Sequence, residues 1–154
     1  MASVYLLQRT QVIPATLEQV WDYFSNPANL EMITPAYMRF RVTSPPYEGQ
    51  VYPGQIITYK VSPLAGIPLE WVTEITHVIH RVYFVDEKRV GPYRLWHHEH
   101  HFSEVPGGVQ MTDIVHYRLP LGWLGRLAHS LFVKRQLEKI FQFRQHTVSR
   151  HFGK

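Results

Sequence analysis

Cysteine is absent from the 154 residues, which excludes a disulfide framework, a thiolate zinc site and a cysteine nucleophile. No apolar run approaches the ~20 residues of a membrane span. The opening stretch MASVYLLQRTQVIP lacks the basic region, apolar run and small-residue cleavage site of a secretory signal. A soluble, cytoplasmic protein is the expectation. Gly-rich phosphate loops, nucleophile elbows and paired-carboxylate signatures are missing as well, and so are internal repeats and low-complexity stretches.

What is present is ordinary in amount and uneven in arrangement. Hydrophobic residues make up 45% and aromatics 14%, enough for one well-packed core, and the length suits a single domain over 1–154. The net charge of +4 is concentrated at the end: from Leu124 to Lys154 seven Lys/Arg face one acid, Glu138, so the rest of the chain is net acidic. A basic terminal helix can be a solvated outer face, or it can make transient contact with an anionic membrane. Its basic residues are not interleaved with aromatics, so no nucleic-acid partner is expected.

Hydrophobic periodicity divides the chain. Val4–Ile13, closed by Pro14, predicts a strand. Thr16 with Gln19 three residues later forms a capping-box signature, followed by Val20, Trp21 and Phe24 on one face of a short helix that stops at Asn26-Pro27. A second short helix is predicted over about Ala28–Ile33. The period then becomes two: Met38, Phe40 and Val42; Ile57, Tyr59 and Val61; Trp71, Thr73 and Ile75; Val82, Phe84 and Asp86. Turn signals such as Pro45-Pro46, Pro53-Gly54, Gly91-Pro92 and Gly107-Gly108 separate these runs. None is long enough to hold a crossover helix, so the strands form an antiparallel meander. From Arg126 to Phe152 no Gly or Pro occurs, and Val133, Leu137, Ile140, Phe141 and Val148 share one face of a long helix.

The expected fold class is therefore α+β: a curved antiparallel sheet of about seven strands wraps a long C-terminal helix, with two short helices after the first strand. Curvature leaves a hollow between sheet and helix, the kind of space that receives an apolar ligand.

Residues 14–35, PATLEQVWDYFSNPANLEMITP, resemble the helical interlude of the START-like (SRPBCC) superfamily, which includes polyketide cyclase/dehydrase-like proteins and plant pollen-allergen-type carriers. Residues 85–102, VDEKRVGPYRLWHHEHHF, residues 107–127, GGVQMTDIVHYRLPLGWLGRL, and the basic terminal helix are similar to a bacterial, polyketide cyclase/dehydrase-like ligand-binding branch of it. The resemblance covers almost the whole chain and implies the helix-grip fold with a cavity. It implies no particular reaction, since the superfamily mixes carriers, sensors and enzymes.

Within that fold Trp96, His98, His100 and Phe102 share one face of a strand, and His97, Glu99 and His101 the other. Two aromatics bracket the first set, which is expected to face inward. Met111, Asp113, Val115, Tyr117 and Leu119 form a matching row on the next strand. A hairpin over Glu104–Gly108 would bring Asp113 within reach of His98 or His100. A carboxylate in an apolar row needs a partner, so His98, His100 and Asp113 form either a ligand-orienting or acid–base group, or a network that locks two strands in register. Asp86, near a strand end, can pair with Lys88 or Arg89. The expected cavity-facing set is Tyr59, Trp71, Thr73, Phe84, Trp96, His98, His100, Phe102, Asp113 and Tyr117. No metal or other cofactor is expected, because only two histidines share a face and Asp113 is the one evident third ligand.

Three functions remain open: binding of a small apolar molecule such as a lipid, isoprenoid or polyketide-like compound; a cyclase, dehydratase or hydrolase using His98, His100 and Asp113 as acid and base; and a regulatory interaction through the basic helix. Leu124, Leu127, Ala128 and Leu131 form a stripe rotated by more than a third of a turn from the Val133–Val148 stripe. Either Trp123–Leu131 closes the cavity mouth or touches a membrane or partner, or the helix is kinked near Ser130.

Overall fold

A computed structural model describes residues 3–153. Strand β1 (Tyr5–Ile13) runs into helix α1 (Leu17–Phe24). The capping box forms as the sequence predicts: Gln19 N–H donates to Thr16 Oγ1 at 3.2 Å and Thr16 N–H to Gln19 Oε1 at 3.0 Å. Val20 and Trp21 on the inner face of α1 are wholly buried. The predicted second helix, about Ala28–Ile33, is a 3₁₀ turn, Pro27–Glu31, and a further 3₁₀ turn follows at Ala36–Met38.

Strand β2 (Arg41–Val42) is shorter than the Met38–Thr43 alternation predicts. Met38 is taken into the second 3₁₀ turn, Arg39 adopts the left-handed conformation, and Pro45-Pro46 stops extension at the other end. The remaining strands are β3 (Ile56–Val61), β4 (Leu69–Ile79), β5 (Tyr83–Val90), β6 (Leu95–Val105) and β7 (Gly108–Arg118). They form a seven-stranded antiparallel sheet in the order β1-β7-β6-β5-β4-β3-β2.

Two register shifts between β4 and β5, at Val72/Thr73 and Ile75/His77, add local bend to the sheet. The β6–β7 turn requires glycine at 108: φ is +146°, and a Cβ there would lie 2.0 Å from the Ile13 carbonyl oxygen. The turn can therefore tuck under the end of β1.

The terminal helix is not continuous. Helix α2 (Gly122–Ala128) passes through a π-helical segment, His129–Val133, into α3 (Lys134–Phe152). The wider turn shifts the helical phase between the two stripes seen in the sequence. Val133, Leu137, Phe141 and Val148 are buried, whereas Leu124, Leu127 and Leu131 are exposed. The break is pinned by His129, which stacks on Tyr5 with ring centroids 3.5 Å apart and meets the Tyr117 hydroxyl through Nε2 at 2.8 Å. Among the described residues no helix is long and apolar enough to cross a membrane.

One core cluster joins Trp21, Phe24, Phe84, Phe102 and Val148 beneath α1 and the end of α3, and another joins Leu7, Val115, Tyr117, Leu137 and Phe141. A third, smaller cluster joins Met38, Val61 and Trp71, with Trp96 and Ile140 packed against it.

Candidate functional site: a cavity with a buried His–Asp wall

Between the sheet and α3 lies a cavity of about 360 Å³, within the range of small-molecule sites. Its walls are apolar in the main: Ile57, Val61 and Trp71 from the sheet, Leu137, Ile140 and Phe141 from α3, with Tyr93 and Trp96 at one side. Tyr59, Trp71, Thr73, Phe84, Trp96, His98 and His100 line it, as the alternation predicts. The Thr73 hydroxyl accepts from Trp71 Nε1–H at 3.1 Å and lies 2.7 Å from the Tyr59 hydroxyl. Burial raises the Tyr59 phenol, with the Asp86 charge adding to the effect and the Thr73 hydrogen bond opposing it, so it stays protonated.

The other three expected residues do not line this cavity. Phe102 is covered by α1, where Trp21 and Phe24 pack on it at centroid distances of 5.4 and 5.8 Å. Tyr117 lies beneath the helix break and bonds His129. Asp113 stands behind the histidines. The sequence identifies their face of the sheet correctly, but α1 and the start of the terminal helix cover parts of that face.

The polar wall comes from β5, β6, β7 and α3. Across β5 and β6 Asp86 pairs with His98, and across β6 and β7 His100 pairs with Asp113. Asp113 Oδ1 is 2.7 Å from His98 Nε2 and 3.3 Å from His100 Nδ1, so the expected contact between Asp113 and the histidines is present. Asp86 Oδ2 is 2.6 Å from His100 Nε2 and 3.6 Å from His98 Nδ1. Asp86 therefore does not pair with Lys88 or Arg89. Register turns it inward, and Arg89 bonds Glu74 and Glu87 on the outer face instead. The two imidazoles lie 3.8 Å apart, with Phe84 stacked on His100 at 4.2 Å.

Arg144 completes the group. Its guanidinium lies 3.5 Å from Asp113 Oδ1 and 3.4 Å from His100 Nδ1, over the rings of Phe24 and Phe141. Sequence reasoning passed over this residue, although a signal existed. Leu137, Phe141, Arg144 and Val148 recur at steps of four, three and four, which places a cation inside the buried stripe of α3.

Electrostatics divides the protons. Burial opposes the Asp113 charge, but Arg144 and hydrogen bonds from both histidines outweigh it and hold the carboxyl well below the usual range. Asp86 is lowered too: burial is outweighed by His98, the His100 hydrogen bond and Arg144. Burial, helped by neighbouring His100, pushes His98 down. For His100 burial acts in the same direction, but hydrogen bonds to Asp113 and Asp86 prevail and raise it. The two imidazoles, with ring centroids 3.8 Å apart, share their protons with both carboxylates and titrate as one coupled group. Two carboxylates thus face two imidazoles and one guanidinium. The outward-facing histidines make separate pairs, His97 with Glu87 at 2.6 Å and His101 with Glu99 at 2.7 Å.

Neither a family model nor a curated protein matches this chain. Solved structures do. Protein CV1439 from Chromobacterium violaceum superposes with a TM-score of 0.71 at 12% identity, over 96% of this chain and 97% of its own. Major latex-like protein 151 from Panax ginseng gives 0.67 at 14% identity, over 97% of each. Ara h 8.0201 gives 0.60 at 14% identity, over 95% and 98%. These likenesses show the fold: a curved seven-stranded sheet around a long C-terminal helix, the helix-grip architecture that the sequence motifs imply.

Proposed function

We propose that this protein holds one small, mainly apolar molecule, such as a lipid, isoprenoid or polyketide-like compound, between its sheet and α3. The polar end of the molecule rests against Asp86, His98 and His100. The observation that carries this reading is the cavity itself. About 360 Å³ of space is enclosed largely by aliphatic and aromatic side chains, with its charged groups gathered on one wall. Such a division suits an amphipathic guest whose apolar body supplies most of the affinity and whose polar end sets its orientation.

Native mass spectrometry of the gently purified protein, followed by organic extraction, tests the proposal. One bound molecule per chain is expected in the wild type. It should be lost when Ile140→Trp fills the space from α3 while the fold is kept. A ligand-free wild type that also takes up no fatty acid, isoprenoid or aromatic polyketide added in excess would contradict it.

A second reading, an acid–base enzyme, is favoured by one observation: two imidazoles on the cavity wall, with ring centroids 3.8 Å apart, are each held by a carboxylate, His98 by Asp113 at 2.7 Å and His100 by Asp86 at 2.6 Å. Recovery of the extracted molecule chemically altered after incubation with wild type, but not with His98→Gln, would support it. Unaltered recovery from both supports a carrier.

A further inference from the structure

We propose that Asp86, His98 and His100 form a binding site for a divalent first-row transition metal on the cavity wall, with its open positions facing the apolar space. The sequence argues against a metal because Asp113 is the only third ligand in view. The structure supplies another, Asp86, from the neighbouring strand. Asp86 Oδ2, His98 Nδ1 and His100 Nε2 all lie within 4.8 Å of one another. Atoms that share one ion at about 2.0–2.2 Å stand roughly 2.9–3.5 Å apart. The observed Asp86–His100 and Asp86–His98 separations of 2.6 and 3.6 Å straddle that range, and the two imidazole nitrogens complete the triangle within 4.8 Å.

Two further observations point to a ligand. First, Asp113 contacts the ring nitrogens on the far side, His98 Nε2 at 2.7 Å and His100 Nδ1 at 3.3 Å. This is the arrangement in which an outer carboxylate fixes the tautomer and orientation of metal-binding imidazoles. Arg144, 3.5 Å from Asp113, offsets the charge of that outer carboxylate. Second, with the His98 proton held on Nε2 by Asp113, Nδ1 presents a lone pair toward the Asp86 carboxylate at 3.6 Å. Among the described residues that lone pair meets no donor, while the carboxylate oxygen receives the His100 Nε2 hydrogen bond at 2.6 Å, whose proton a cation would displace. A cation placed there satisfies both.

The protein supplies three ligands, all on the cavity lining, so the remaining positions open to the guest. That is the pattern of metal sites which bind an exogenous ligand rather than of closed structural ones. Imidazole nitrogen with a single carboxylate suits zinc, iron or nickel better than calcium or magnesium. With neutral histidines, a divalent ion, Asp86, Asp113 and Arg144 leave one net positive charge. The guest's polar end would then be an oxygen anion, a carboxylate or phenolate, bound to the ion.

The test uses full-length, metal-stripped protein titrated with Co²⁺, followed by visible absorption and calorimetry, with Zn²⁺ as competitor. One Co²⁺ per chain is expected, with d–d bands that Zn²⁺ abolishes. Asp86→Asn and His98→Gln should lose the site, and Asp113→Asn should weaken it by about 10–100-fold. His97→Gln/His101→Gln, which alters only the outer face, should leave it intact, and so should Ile140→Trp. Survival of Co²⁺ binding in Ile140→Trp separates this claim from that of an apolar guest. Should the inner variants fail to fold, wild-type NMR decides: bound Co²⁺ should displace the ring resonances of Phe84 and Phe141. Absence of binding, or binding that vanishes with the outer histidines and leaves those rings unshifted, would overturn the proposal.

Discussion

Arg144 is the residue whose replacement most directly probes the buried charge group. Its side chain and that of Asp113 are 11% and 10% exposed, with nitrogen and oxygen 3.5 Å apart. At an effective dielectric near 20 the Coulomb attraction is about 5 kcal/mol, and breaking a buried pair from one side costs about 3–5 kcal/mol. Arg144 Nε is buried without a hydrogen-bond partner, and the histidines also hold Asp113, so the lower end applies: about 3 kcal/mol for Arg144→Met. Methionine keeps an apolar stem between Phe24 and Phe141, so most of the loss is electrostatic. At a urea m-value of about 2 kcal/mol/M this moves the unfolding midpoint by about 1.5 M.

The assay is urea unfolding at pH 7 of wild type, Arg144→Met, Asp113→Asn and the double variant. The double variant should be more stable than the sum of the singles by about 2 kcal/mol. The coupling should survive 0.5 M salt, because buried pairs are poorly screened. A loss below about 1 kcal/mol, or strict additivity, would show that the histidines alone satisfy Asp113.

Three further outcomes follow from the same structure. Because folding depresses the Asp113 carboxyl, its stabilising contribution is complete above its unfolded value of about 3.9 and is lost as pH falls toward the folded one. Urea midpoints between pH 5 and pH 2 should therefore fall less steeply in Asp113→Asn than in wild type. Gly108→Ala should destabilise by more than about 1 kcal/mol in thermal or urea unfolding, since the methyl meets the Ile13 carbonyl and φ is positive; a neutral result would refute the tight turn. Hydrogen exchange should be faster over Gly122–Phe132, where Leu124, Leu127 and Leu131 are exposed, than over Leu137–Val148. Equal protection would count against independent opening of the first segment.

Much of this architecture was legible in the order of side chains, and its limits are physical. Alternation placed Trp71, Thr73, His98 and His100 on the inner face because a half-buried strand must alternate. The single Gly107-Gly108 turn then brought Asp113 beside the histidines. Alternation names a face, however, and not the stretch of that face which another element will cover. Phe102 and Tyr117 were misplaced for that reason, one under α1 and the other under the helix break. Asp86 needed the β5–β6 register, which the connection at residues 91–94 sets and which alternation within either strand does not reveal. The rotated leucine stripe located the helix break without specifying a π-helical turn.

The central claim is that a guest-sized space lies between the sheet and α3, lined by Trp71, Trp96 and Ile140. A crystal of the purified protein pressurised with xenon tests it most directly, since xenon settles in apolar cavities whatever the natural guest. Anomalous density should appear among Ile57, Trp71 and Ile140, weakening if a co-purified molecule already fills the space. Side chains closed together there, with neither xenon nor any other density between sheet and helix, would contradict it.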